Sequence, residues 1–153
     1  MSEEAFSVRG ALDELRTAAS GDQSTLAVLA RRSLEGFINH PWDAAAWLAQ
    51  SITYGRLAAI NGPALEKTHL AGILFTYAQL QIDRSELAQS TEEASYYARE
   101  SSEAQVEALY WLNLAADEGH EEAADVISCV ADMIDPHLLA LASGITSQAK
   151  EPA

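Results

Sequence analysis

The chain is short of positive charge: nine Lys and Arg stand against 23 Asp and Glu in 153 residues, a formal net charge of −14 at pH 7. Binding to a nucleic-acid backbone needs Lys and Arg at the phosphates, so direct DNA or RNA binding is not expected. An anionic membrane surface is disfavoured on the same ground. No apolar run approaches the ~18 residues of a membrane span, and the opening MSEEAFSVRG does not read as a signal peptide. The expected compartment is therefore a reducing cytoplasm. With one cysteine, Cys129, an intramolecular disulfide is excluded. That residue lies in the apolar run VISCVADMI beside Asp125 and Asp132, so it reads as a small buried hydrophobe, since a reactive thiol wants positive neighbours.

Recognisable chemistry is also missing. The sequence contains no GxxxxGK[ST], GxGxxG or GxSxG. His40, His69, His120 and His137 are far apart and none pairs with His or Cys at metal-ligand spacing. His120–Glu121–Glu122 starts like HExxH, but the fifth position is Ala124, so His120 reads as a helix cap or flank. Asp117, Glu118, Glu121, Glu122 and Asp125 lack the Asp-x-Asp-x-Asp-Gly pattern of a calcium loop and read as a solvated turn. No catalytic residue, cofactor or metal is expected, and the chain does not read as an enzyme.

What is present is helix. Alanine and leucine dominate a 48% hydrophobic composition, while Val, Ile and aromatics are too sparse for a β domain. The length fits one domain, which would bury roughly 68–70% of its unfolded surface. Periodicity predicts a helix over 4–19, with Phe6, Leu12 and Leu15 on one face and Gly21 as its stop. A second helix, capped by Asp22 or Ser24, ends before His40–Pro41. A third starts near Trp42–Asp43 and carries a narrow stripe of Ala44, Trp47, Leu48, Ser51, Gly55 and Ala58. Asn61–Gly62–Pro63 breaks the chain, and the next helix carries Leu70, Ile73, Leu74 and Tyr77 toward Leu87. Ser90 and Glu93 read as a capping box opening one continuous helix of about 27 residues, roughly 40 Å long. A break at Ser101–Ser102, with Gln105 completing a second box, is the competing reading. Further helices are expected over 120–134 and from Asp135–Pro136 to Ala142. The expected fold is all-α, six or seven antiparallel helices forming either a tetratricopeptide-like solenoid or a compact bundle. Residues 1–143 form the single domain and 144–153 a polar tail.

The stretch ALYWLNLAADEGHEEAADVI resembles a Sel-one-like repeat, a subclass of the tetratricopeptide repeats. The resemblance rests on Ala108, Trp111–Leu112, Ala115–Ala116, Gly119 and Ala123. It covers about a fifth of the chain; where the family has Leu-Gly and a tyrosine, this sequence has Ile127–Ser128 and Ala131. A weaker echo, AAAWLAQSITYG, puts Trp47 and Gly55 in the places of Trp111 and Gly119. The resemblance implies a protein-interaction scaffold, with contacts on the inner face of the first helix of each pair and no catalytic residue. The site residues expected on this basis are Glu107, Tyr110, Asn113 and Asp117, on the face away from the core stripe, joined by Gln50 and Tyr54. The expected function is that of a non-enzymatic adaptor or regulatory scaffold, and the expected partner is another protein.

Charge supplies a rival. Residues 83–135 hold fourteen of the 23 acids and only two bases, Arg84 and Arg99. These carboxylates are solvated faces that keep the chain soluble, or a surface for a basic partner. An acidic helical inhibitor or immunity-type protein is thus the first alternative function, and a small helical enzyme or ligand-binding bundle the second. A solenoid binder should show a groove of mixed polar and aromatic lining, and a nucleic-acid mimic should show carboxylates along a convex ridge.

Overall fold

The structure is a computed structural model that describes residues 23–39 and 44–151. The helix expected over 4–19 and the breaks at Gly21 and His40–Pro41 lie outside these. The described residues form six helices and no strand: α1 (Gln23–Asn39), α2 (Ala44–Ile60), α3 (Ala64–Leu87), α4 (Thr91–Asp117), α5 (Glu121–Val130) and α6 (Pro136–Lys150). No helix among them is long and apolar enough to cross a membrane.

From α1 to α5, neighbours along the chain pack as antiparallel hairpins, while α6 packs on α4. Between α1 and α2, Ser33 Oγ donates to Gln50 Oε1 and Ser51 Oγ donates to the Ala30 carbonyl. Ser51 is fully buried, as the small-residue stripe of α2 predicts, and Gly55 sits where an added Cβ would lie 3.0 Å from Leu70 Cδ1 of α3. The most extensive packing joins α3 to α4. Its ends are pinned by Ser85 Oγ to the Ala94 carbonyl, 3.0 Å, and by the nearly buried Lys67 ammonium to Glu118, 2.9 Å. The main core combines Leu48 and Ile52 of α2, Leu70, Ile73 and Leu74 of α3, Ala108, Trp111, Leu112 and Ala115 of α4, and Ala123 of α5.

α4 is continuous over its 27 residues, with no break at Ser101–Ser102. Ser101 is buried against its neighbours, and Gln105 donates to its Oγ at 3.1 Å inside the helix. At the start, Ser90 Oγ accepts from the Glu93 N–H at 3.1 Å, while the Glu93 carboxylate reaches one residue further back, to the Gln89 N–H. At the end, His120 N–H bonds to the Ala115 carbonyl and Gly119 N–H to that of Ala116, which is the Schellman arrangement. It requires a left-handed residue, and Gly119 has φ 88°. His120 then caps α5, its Nδ1 accepting from the Ala123 N–H at 3.3 Å.

Three expectations are corrected here. α5 ends at Val130 rather than Ile134, in a turn over 131–133. Cys129 is exposed, because the face α5 turns to the core is Ala123, Val126 and Ile127, and position 129 falls off that stripe. The chain after Gly144 is not a tail: α6, capped by the Asp135 carboxylate on the His137 N–H, runs to Lys150 and buries Ala142 and Thr146. Asn113 Nδ2 reaches Thr146 Oγ1 and Lys150 pairs with Asp117, both across 33 residues. A constant offset means that α6 runs parallel to α4, with α5 as the return helix between them.

Replacing Trp111 with alanine should cost about 3–5 kcal/mol, read as a lower denaturation midpoint. Gly119→Val should cost roughly 1–3 kcal/mol through backbone strain alone, since no atom lies within 4 Å of an added Cβ. Gly144→Ala should stabilise the chain by about 0.5–1 kcal/mol, because the position is helical and open. An unchanged midpoint for Gly144→Ala would place the end of α6 before that residue.

Candidate functional site

Two grooves adjoin on α4. The first is lined by Ala49, Thr53 and Arg56 of α2, Tyr77 of α3, and Glu100 and Glu103 of α4, with a volume of about 320 Å³. The second, also about 320 Å³, lies between α4 and α6 and is lined chiefly by Val106, Tyr110, Leu138, Leu141 and Ile145. Glu103 and Glu107, one turn apart, border both. A third depression of about 440 Å³, lined by residues of α1 to α5, carries the Arg31–Glu66 ion pair and His69 over an apolar floor.

The first groove is polar, and its groups are tied to one another. Arg56 donates from Nε and Nη2 to the two Glu107 oxygens at 2.7 and 2.6 Å, a forked pair linking α2 to α4. The Trp111 indole N–H donates to the same carboxylate at 3.2 Å. Burial acts to raise the Glu107 carboxyl, but the bonds from Arg56 and Trp111 and the Arg56 charge outweigh it and hold the group below its ordinary value. Tyr77 Oη donates to Glu100 at 3.1 Å. Burial pushes the Tyr77 phenol up, opposed by a hydrogen bond from Gln81 and assisted by Glu100. Gln81 itself is buried, and its Oε1 is the one buried side-chain polar atom without a hydrogen-bond partner among the described residues.

The second groove is apolar and open. Leu141 is 46% exposed and Ile145 40%, both on the face of α6 turned toward the groove. Tyr110 closes one side, its ring edge-on to Trp111 at 5.1 Å. Glu103 is exposed on the ridge and, unlike Glu107 and Glu100, holds no ion pair or hydrogen bond among the described residues.

The expected site residues do not form one surface. Glu107 and Tyr110 meet at the grooves. Asn113 and Asp117, on the same helix, are engaged by Thr146 and Lys150 of α6, although Asp117 stays half exposed. Gln50 accepts from Ser33, and Tyr54 packs beside Leu26, Ala27, Leu29 and Ala58, so both serve the α1–α2 contact. Glu107 was expected in solvent, and it is instead partly buried under Arg56. The residues that build the open groove, Leu138, Leu141 and Ile145, were not among those expected. Their i, i+3, i+7 spacing is a visible helical signal that the assumed tail beyond Gly144 cut short.

A group whose carboxyl is lowered in the folded chain adds stability above its unfolded value and loses it as pH falls through the folded one. For Glu107 the loss begins below about pH 4.5. Glu107→Gln should therefore lower stability at pH 7 by at most about 1 kcal/mol, since the Arg56 end is half exposed. It should also flatten the fall in stability below pH 4.5, followed by urea denaturation across pH. An equally steep fall in the variant would mean the Arg56 bond contributes nothing to folding.

No protein-family model, curated protein or solved structure matches this chain.

Proposed function

We propose that this chain is a non-enzymatic protein-interaction module, an adaptor or regulatory scaffold of the helical-repeat type acting in the cytoplasm. The observation that carries the reading is the apolar groove between α4 and α6, where Leu141 and Ile145 stay exposed beside Tyr110. Exposed large apolar side chains lining a depression are how soluble domains present a partner site. The parallel return of α6 beside α4, with α5 between, is the arrangement a hairpin repeat produces, and it supports the Sel-one-like resemblance of 104–131. The mixed lining of the α2–α4 groove, with Arg56, Tyr77 and Glu100, agrees with a partner site rather than a bare carboxylate ridge.

The pairing of the acids favours this reading over a nucleic-acid mimic. Glu107, Glu118 and Asp117 of the acidic third are held by Arg56, Lys67 and Lys150 from outside it. A mimic would present such carboxylates unpaired. The remaining exposed acids still steer a partner of opposite sign.

The reading is tested by affinity capture and mass spectrometry with the wild type and with Leu141→Asp, a change at an exposed position that should leave the fold intact. Partners retained by the wild type should be lost by the variant, and their association should slow as salt rises from about 0.1 M to 1 M, where exposed charges are screened within about 3 Å. Partners held equally by both proteins, with no salt dependence, would remove the grooves from the function.

A further inference from the structure

The α4–α6 groove carries enough chemistry to name what fits it, and the argument rests on the interaction-module reading. Its floor is made of side chains from two parallel helices, Val106 and Tyr110 on one and Leu138, Leu141 and Ile145 on the other. No strand exists among the described residues, so no sheet edge offers backbone groups to an extended segment. An extended chain pressed into this groove would leave its own N–H and C=O groups without partners, which is costly in an apolar setting. A helix brings its backbone bonds with it. Leu138, Leu141 and Ile145 span two turns, about 10 Å, which matches apolar side chains at i, i+3 or i+4 and i+7 of a guest helix.

The charge of the guest follows from the rim. Glu103 borders the groove with no partner of its own among the described residues, and Glu107 beside it adds a carboxylate already bound to Arg56. A second copy of this chain would bring the same carboxylates face to face on a molecule of net charge −14. A guest with Lys or Arg flanking its apolar stripe would instead pair with Glu103 as the leucines desolvate the groove.

We propose that the α4–α6 groove is a docking site for a basic amphipathic helix of a partner protein, its apolar stripe seated on Leu138, Leu141 and Ile145 and its flanking Lys or Arg on Glu103.

The test is selection of random peptides displayed on phage against the full chain, followed by fluorescence anisotropy of the recovered peptides. Peptides should emerge that carry apolar residues at helical spacing with a net positive charge, and that become helical by circular dichroism on binding. Ile145→Asp should weaken them at least tenfold, Leu141→Asp likewise, with the circular dichroism of both free proteins unchanged. Glu103→Lys should weaken the same peptides and should restore binding to versions with Lys exchanged for Glu. Peptides that depend on Ile145 but bind extended or carry acids would overturn the proposed guest. Recovery only of peptides indifferent to Ile145 and Leu141 would overturn the groove itself. If those peptides are instead lost with Thr53→Arg in the α2–α4 groove, the interaction-module reading stands while this site does not. Self-association of the wild type abolished by Ile145→Asp would make a second copy the occupant and would likewise overturn the proposal.

Discussion

Ala104, Ala108, Leu112 and Ala115 run along one face of α4 almost without exposure. Small side chains on that line let the helix approach α3 closely, and the long contact between the two excludes water over several turns. The other helices are placed relative to this pair. α2 leans on α3 where Gly55 admits Leu70, α5 folds back after Gly119 to set Ala123 into the same core, and α6 packs Ala142 against Val106 and Leu109 on another side of α4. A helix that serves neighbours on several sides cannot show one clean apolar stripe, and α4 accordingly buries Val106 and Leu109 as well as the alanine line.

Electrostatics follow the same plan. The acidic third includes α4 and α5, and three bases outside it, Arg56, Lys67 and Lys150, each reach one of its carboxylates. Lys67 is the most enclosed of these ammonium groups, and it also donates to the Gly62 carbonyl, so one side chain joins the α2–α3 turn to the α4–α5 turn. The two bases within the acidic third are used differently. Arg84 and Arg99 lie over the rings of Tyr97 and Tyr96 near the α3–α4 tip, at 5.8 and 5.9 Å. Much of the charge excess therefore remains in solvent, while Arg56, Lys67 and Lys150 join separate parts of the chain.

The functional reading grows from what that packing leaves uncovered. α6 engages Asn113 and Asp117 and leaves Glu103, Glu107 and Tyr110 beside an open groove, with its own Leu141 and Ile145 facing the gap. Glu103 and Glu107 stand between a polar groove and an apolar one, and the proposed guest helix would meet both. In the polar groove Arg56, Glu107, Tyr77 and Glu100 are already bonded to one another.

Local signals determined the helices. Apolar spacing, Ser90 with Glu93, Asp135 before Pro136, and Gly119 after the last alanines act within a few residues, so they mark helix starts, stops and core faces without reference to the rest of the chain. The all-α class and the left-handed Gly119 were legible for that reason, and the unbroken α4 was favoured over a break at Ser101–Ser102 that local signals left open. Which faces stay free was not legible, because that depends on contacts across tens of residues: Lys150 on Asp117, Thr146 on Asn113, Arg56 on Glu107. Gly144 was misleading because glycine stops a helix only when nothing else holds it, and burial of Ala142 and Thr146 against α4 carries α6 past it. Cys129 faced solvent because a ten-residue helix buries only one narrow side, and its neighbours Ala123, Val126 and Ile127 took that side. The amino-acid pattern thus decided where helices form, and tertiary packing, through contacts that span tens of residues, decided which side of α4 stays open.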